Sequence, residues 1–181
     1  MIVLGVDPGY ANFGWALSNV TKEAIEPLCV GVLVTEKSHR RMKVLASDDE
    51  FRRSKELYEG LVGVIRRNEV KLICAEGMSS PRNAITVRML GYAWGVLASI
   101  CSELGIAMVQ VSPNQLKKRL CGRVSSTDKE LHDEITKRYP SMETLIMSVT
   151  VKSKREHAYD AMIAIEVCSD SEPFVMLQGV S

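Results

Sequence analysis

Three pieces of the chain carry side chains suited to metal-assisted hydrolysis: Asp7 and Glu76, each closing an apolar run of strand length, and the pair His157-x-x-Asp160. Residues three apart on a helix share a face, so His157 and Asp160 can be aimed at one spot. If the two apolar runs are central neighbouring strands, three carboxylates and an imidazole converge there. Carboxylates that close repel one another, so the arrangement makes sense when divalent cations occupy it. Hard oxygen ligands favour Mg²⁺ or Mn²⁺, and the absence of paired cysteines argues against a structural zinc site. Taken singly, each piece has a plainer reading. Asp7 is equally explained as the first residue of a β-turn, Glu76 as a carboxylate at a strand end, His157 as an ordinary helical histidine, and Asp160 as a solvated or ion-paired acid.

The order of elements lifts the combination above its parts. Ile2-Val3-Leu4-Gly5-Val6 reads as a central strand running into the turn Asp7-Pro8-Gly9, and residues 13–20 and 29–35 read as two more strands separated by the polar stretch 21–27. An antiparallel meander therefore precedes any helix. Ser47-Asp48-Asp49-Glu50 resembles a capping box, and Phe51, Tyr58, Leu61, Val62 and Ile65 follow at helical spacing. Residues 70–75 form a buried strand that delivers Glu76, and 77–83 a polar loop. The helix over 84–103 has Arg88 as its only charge before Glu103, which predicts burial on more than one face. Its small-residue stripe (Ala84, Arg88, Gly91, Gly95, Ala98, Ser102) fits two readings, tight packing on the sheet or a second subunit. Beyond it lie a strand over 106–111, a capped helix at Ser112-Pro113-Asn114-Gln115 with Leu116 and Leu120 inward, and a second capped helix from Thr127 to about Tyr139. Residues 141–153 show weak periodicity. A last helix over 155–168 carries His157 and Asp160, with a C-terminal tail over 169–181.

With 181 residues, 46% apolar and 25% charged, the chain is sized and composed for one globular domain, expected over 1–168. No run is expected to span a bilayer. The apolar start lacks a basic lead, so a cytoplasmic protein without a membrane partner is expected. Five cysteines without a C-x-x-C pair read as reduced thiols. A net charge of +1 does not announce a nucleic-acid partner. Its distribution is more informative, because residues 81–129 carry Arg82, Arg88, Lys117, Lys118, Arg119, Arg123 and Lys129 against Glu103 and Asp128 alone. Of these, Lys117, Lys118, Lys129 and Arg82 are the candidate phosphate contacts.

Leu4-Gly5-Val6-Asp7-Pro8-Gly9, Ala75-Glu76, Leu90-Gly91-Tyr92-Ala93-Trp94-Gly95 and His157-Ala158-Tyr159-Asp160-Ala161 resemble, in this order, the signature blocks of RuvC-type Holliday junction resolvases. The resemblance runs from residue 2 to about 168. It implies an α/β, ribonuclease H-like fold with a mixed five-stranded sheet flanked by helices. It also implies a homodimeric, Mg²⁺-dependent endonuclease of DNA recombination and repair, which holds two ions per site and nicks four-way junctions in symmetric pairs, leaving 5′ phosphates. Asp7, Glu76, His157 and Asp160 match the family's metal-binding site, the position of His157 varying between aspartate and histidine. Lys117 and Lys129 resemble family lysines near the DNA, though both also read as solvated helix lysines. The helix around Gly91 and Gly95 matches the dimer-forming helix.

The sequence departs from the family after the second acid. Many bacterial members carry an aromatic wedge there, whereas this loop reads Gly77-Met78-Ser79-Ser80-Pro81-Arg82-Asn83. Met78 is either a soft apolar substitute or a side chain tucked under its own loop. The departure, with the short divergent chain, fits a phage-type member and widens the expected substrates to forks and flaps. Two other classes compete. Actin-like kinases share the opening strand and turn but need a second lobe that 181 residues cannot supply. A non-catalytic nucleic-acid-binding domain would have no use for converging like charges.

Overall fold

The structure, a computed structural model, describes residues 1–78 and 83–179; Arg82, one of the candidate phosphate contacts, lies outside them. Five strands, β1 (Ile2–Asp7), β2 (Asn12–Val20), β3 (Ile25–Val34), β4 (Leu72–Glu76) and β5 (Ala107–Val111), form one sheet in the order β3-β2-β1-β4-β5. β1, β2 and β3 are the expected antiparallel meander, and β4 and β5 join in parallel. β3 starts earlier than the polar stretch 21–27 suggests. As an edge strand it tolerates Pro27, which pairs with Ser18 just past a register shift between Leu17 and Ser18.

Helices cover both faces. α1 (Ala46–Arg67) and α2 (Ala84–Leu104) pack on Leu4, Val6, Ile73 and Ala75, while α3 (Pro113–Cys121), α4 (Asp128–Arg138) and α6 (Arg155–Cys168) pack on Val3, Leu72 and Cys74. Because strand side chains alternate, Asp7 and Glu76 belong to the α6 face, in step with Val3 and with Leu72 and Cys74. The last parallel pair is Val6 with Ala75, so Asp7 and Glu76 come next, side by side at the end of the sheet.

α6 is pressed onto that face at two glycines. A Cβ at Gly5 would meet the carbonyl oxygen of Ala161 at 1.9 Å, and one at Gly14 would meet that of His157 at 2.0 Å. Ala158, Ala161 and Ala164 are fully buried on the helix side of this contact. The small residues thus lock the helix at the depth that brings His157 and Asp160 to the strand ends. Met162, Ile163 and Ile165 are buried with them and each contributes roughly 1.5–3 kcal/mol.

Several expectations are corrected. α1 begins at Ala46 with no side-chain cap, so Ser47 already lies inside the helix and the Glu50 carboxylate of the supposed capping box is taken by Arg88 and Tyr92. Phe51 is 72% exposed. Its helix turns Arg53 inward instead, with the guanidinium 4.4 Å over the Tyr10 ring and bonded to Thr35. α2 buries Ala93, Leu97 and Ile100 only, so within this chain one face is covered rather than several. By length and composition α2 is also long and apolar enough to cross a membrane, contrary to the sequence expectation, although those three residues sit in the core. Residues 141–153 contain α5 (Met142–Leu145) and a 3₁₀ turn (Ile146–Ser148), anchored by buried Met142 and Ile146, and lead into a second 3₁₀ turn (Lys152–Lys154), none of whose residues is buried. After Cys168, where a plain tail was expected, α7 (Glu172–Gln178) docks Phe174 into the core.

Candidate active site

The turn after β1 is closed by a bond from the Gly9 amide to the Asp7 carbonyl, and the Asp7 side chain turns towards α6. There His157 Nδ1–H donates to Asp7 Oδ2 at 2.6 Å, since an ionised carboxylate only accepts. This bond holds the imidazole pKa above its usual range, against the opposing effect of burial. One turn along α6, Asp160 Oδ1 accepts from His132 Nε2 on α4 at 3.2 Å. The His132 ring is stacked on Tyr159, their centroids 4.7 Å apart. Burial raises the Asp160 pKa, and the His132 bond opposes the rise.

Among the described residues Glu76 has no such partner. Burial first, then the charges of Asp160 and Asp7, push its carboxyl up to about 7, with Lys117 pulling the other way. Glu76, Asp7 and Asp160 therefore feel one another's charge. They do not form a finished cage: among the described residues no three His, Cys, Asp or Glu side chains enclose a metal position. Asp7 and Asp160 are each drawn to an imidazole. The donor set nonetheless fits a hard divalent cation of the Mg²⁺ type, which takes one or two carboxylates and fills its remaining positions with water and substrate phosphate oxygens. A raised carboxyl with like charges around it is a site short of positive charge.

The Glu76 shift has a stability consequence with a definite sign. The folded protein keeps a proton on Glu76 between the usual value of 4.5 and about 7, where the unfolded chain has lost it. That contribution is complete below 4.5 and is lost as pH rises through 7. Glu76→Gln is therefore expected to be neutral at pH 4 and stabilising at pH 8 in chelator, by at most about 3 kcal/mol. Urea unfolding of variant and parent at both pH values checks this, and an equal difference at both would contradict it.

On the α2 side the acids open into a small cleft of about 120 Å³ lined by Asp7, Glu76, Met78, Leu90 and Trp94. Met78 is 52% exposed at its lip, which rules out the tucked-under reading. Lys117 lies on α3, 3.8 Å from Asp128 and close enough to Glu76 to lower its pKa. Lys118 and Lys129 are exposed and without ion pairs among the described residues. Two site residues escaped the sequence reading, His132 and Asp128, whose charge raises both Glu76 and Asp160. A usable signal for His132 was its position three residues after Lys129, on the same face of α4.

The family model described as crossover junction endodeoxyribonuclease RuvC matches residues 3–169. The RuvC of Natranaerobius thermophilus is 27% identical over 93% of this chain and 93% of its own, and that of Rickettsia typhi 30% identical over 67% and 72%. In fold the chain is similar to Thermus thermophilus RuvC, with a TM-score of 0.69 at 17% identity over 99% of this chain and 97% of that one. It is also similar to T. thermophilus RuvC in complex with a Holliday junction substrate, at a TM-score of 0.68 and 16% identity, covering 93% of each.

Proposed function

Because the chain belongs to the crossover junction endodeoxyribonuclease RuvC family, we infer that it is a DNA endonuclease that resolves four-way junctions. The observation that carries this reading is that Asp7 and Glu76 stand side by side at the ends of β1 and β4, with Asp160 of α6 near enough for its charge to raise the Glu76 pKa. We assign Asp7, Glu76 and Asp160, with His157, to holding two Mg²⁺ ions, which Mn²⁺ can replace. Such ions, when bound, stabilise charge on the phosphate oxygens and lower the pKa of an attacking water. The chain's own part is to present ionised carboxylates at a fixed spacing and to keep the imidazoles oriented. Asp7 orients His157 through Nδ1, while Nε2 lies 3.9 Å from the Glu156 carboxylate. Lys117, Lys118 and Lys129, with Arg82, supply phosphate contacts, and Met78 stands where a junction strand would pass. Such contacts position a branch without reading its bases.

His132 is a positioning residue in this scheme, fixing the rotamer of Asp160 across the α4–α6 contact. Hydrogen bonds to charged groups contribute about 1.5–3 kcal/mol, so His132→Leu is expected to slow cleavage roughly 10- to 100-fold. It should also shift the Mn²⁺ binding midpoint of the DNA-free protein. His132→Asn, which still donates, should recover most of both; equal effects of Leu and Asn would leave His132 a packing residue only.

The reading is tested by offering the protein, with Mg²⁺, a four-way junction, a fork, a flap and a linear duplex, and mapping the cuts. Paired symmetric nicks with 5′ phosphates in the junction are expected. Equal cutting of forks and flaps would select the broader branched-DNA specificity, and binding without cutting in Mg²⁺ or Mn²⁺ would overturn the nuclease reading.

A further inference from the structure

Outside the catalytic centre the segment Lys37-Ser38-His39-Arg40-Arg41-Met42-Lys43 holds four Lys or Arg and a histidine in seven residues with no acid among them, in a protein whose net charge is +1. We propose that this segment is a second DNA-binding element, holding the phosphate backbone of a junction arm several nucleotides from the cut. The proposal rests on the junction-endonuclease reading and adds to it a surface remote from the acids.

The placement follows from the sheet. β1, β3, β4 and β5 all point the same way, so the chain leaves β3 at the end of the sheet that carries Asp7 and Glu76. The acids stand on the central strands. Lys117 and Lys129 follow β5 beyond one edge, and residues 37–43 follow β3 beyond the other. With strands about 4.8 Å apart, the β3 edge lies roughly 10 Å from β1. At about 3.4 Å per nucleotide of one strand, its contacts fall some three or more phosphates from the scissile one.

The segment is clamped at its base and free at its tip. Thr35 is held by Tyr10 and buried Arg53, the Glu36 carbonyl accepts from Arg52 at 2.6 Å, and Ser38 bonds Asp49 through its amide at 3.0 Å and its hydroxyl at 2.6 Å. The bonds from Ser38 and Arg52 hold the Asp49 carboxyl down at about 2, so this acid is spent inside the clamp, while Glu36 and Asp48 are exposed and, among the described residues, form no ion pair with the segment. Glu50 is likewise engaged by Arg88 at 2.9 Å and Tyr92 at 3.0 Å. Lys37, His39, Arg41 and Lys43 are exposed, and among the described residues none of them forms an ion pair. A cavity of about 450 Å³ beneath the segment runs from Lys37 and Lys43 to Arg88 and Met89. The next residue, Leu90, lines the acidic cleft, so α2 borders both surfaces. Exposed cations without ion pairs among the described residues, on a hydrogen-bonded base and at the same end of the sheet as the acids, match a polyanion of regular charge spacing.

The test is junction affinity as a function of salt for the intact protein and for Lys37→Ala/Arg41→Ala/Lys43→Ala, using the Asp7→Asn background to prevent cutting. Each lost phosphate contact lowers the slope of log K against log salt by about 0.9. The triple variant should therefore lose about 2.7 from the slope. Between 50 and 200 mM salt the parent should weaken ~40-fold more than the variant. The charge-preserving set Lys37→Arg/Arg41→Lys/Lys43→Arg should keep the parental slope. Neutral methylphosphonates placed three to six nucleotides from the cut should reduce parental binding but not that of the triple alanine variant. A slope unchanged by the alanines, in a protein that binds the junction, overturns this inference alone and leaves the segment to a protein partner. Failure of the parent to bind any junction overturns the nuclease reading beneath it.

Discussion

Asp7→Asn is expected to bind a four-way junction at least as tightly as the parent protein and to cut it roughly 10³-fold more slowly or worse. The substitution is nearly isosteric, and the amide oxygen can still accept from His157 Nδ1, so β1 and α6 keep their contact. It removes one negative charge from a surface that must approach phosphates, which leaves binding no weaker. The rate is another matter. Charge stabilisation in a metal-assisted displacement is worth several kcal/mol, and each 1.36 kcal/mol is tenfold in rate. Glu76→Gln and Asp160→Asn should behave alike, because all three carboxylates act on one another through space. The same site sets the pH dependence. Glu76 ionises only near 7 and His157 holds its proton above its ordinary range, so cleavage should fall as pH drops below neutrality, at constant junction binding. Single-turnover cleavage beside a gel-shift titration measures both quantities. Full activity in Asp7→Asn, or cutting undiminished in excess chelator, would sink the assignment.

What the sequence makes legible here is what short-range chemistry decides. The strands ending in Asp7 and Glu76 are continuous apolar runs closed by polar turns. The boxes Ser112/Gln115 and Thr127/Glu130 satisfy their own amides within four residues, and both form as expected. What escapes is decided across the fold. The box at Ser47–Glu50 has the right letters, but the helix starts at Ala46 and Glu50 is claimed by Arg88 and Tyr92, 38 and 42 positions downstream. Arg53 turns inward in place of Phe51 because Tyr10 and Thr35, distant in sequence, offer a ring face and two oxygens. α7 shows no usable periodicity, and among its described side chains Phe174 alone is buried. The candidate site divides the same way. His157 and Asp160 share a helix and could be paired by spacing, whereas His132 reaches Asp160 from α4, a contact 28 positions apart. Like charges predict convergence, but they do not predict that each of two acids has an imidazole of its own.

Replacing Gly91 by glutamate is expected to yield a folded monomer that nicks junctions singly. The sequence left two explanations for the small-residue stripe on α2, and the structure removes one. A Cβ added at Gly91 or at Gly95 would meet nothing within 4 Å, so neither glycine makes room for the sheet of its own chain. Every member of the stripe, Ala84, Arg88, Gly91, Gly95, Ala98 and Ser102, is exposed, and Ile85 and Val87 stand 62% and 43% exposed beside it. Glycine in a helix interior costs about 1 kcal/mol relative to alanine, so for the isolated chain alanine at either position would be the more stable choice. A second copy of the chain, approaching α2 closely along this stripe, is the occupant we propose. Its meaning is geometric: a four-way junction has approximate twofold symmetry, and a twofold dimer sets two identical sites on two strands of like polarity. Gly91→Ala should therefore raise the unfolding temperature of the monomer while weakening self-association, a combination that simple loss of packing does not produce. Gly91→Glu adds a charge whose burial without a partner costs several kcal/mol, enough to abolish the dimer at micromolar concentration. Sedimentation velocity and a supercoiled cruciform substrate, which separates single from paired incision, test both substitutions. A parent protein that sediments as a monomer while still making paired nicks would return α2 to being an apolar helix with one covered face.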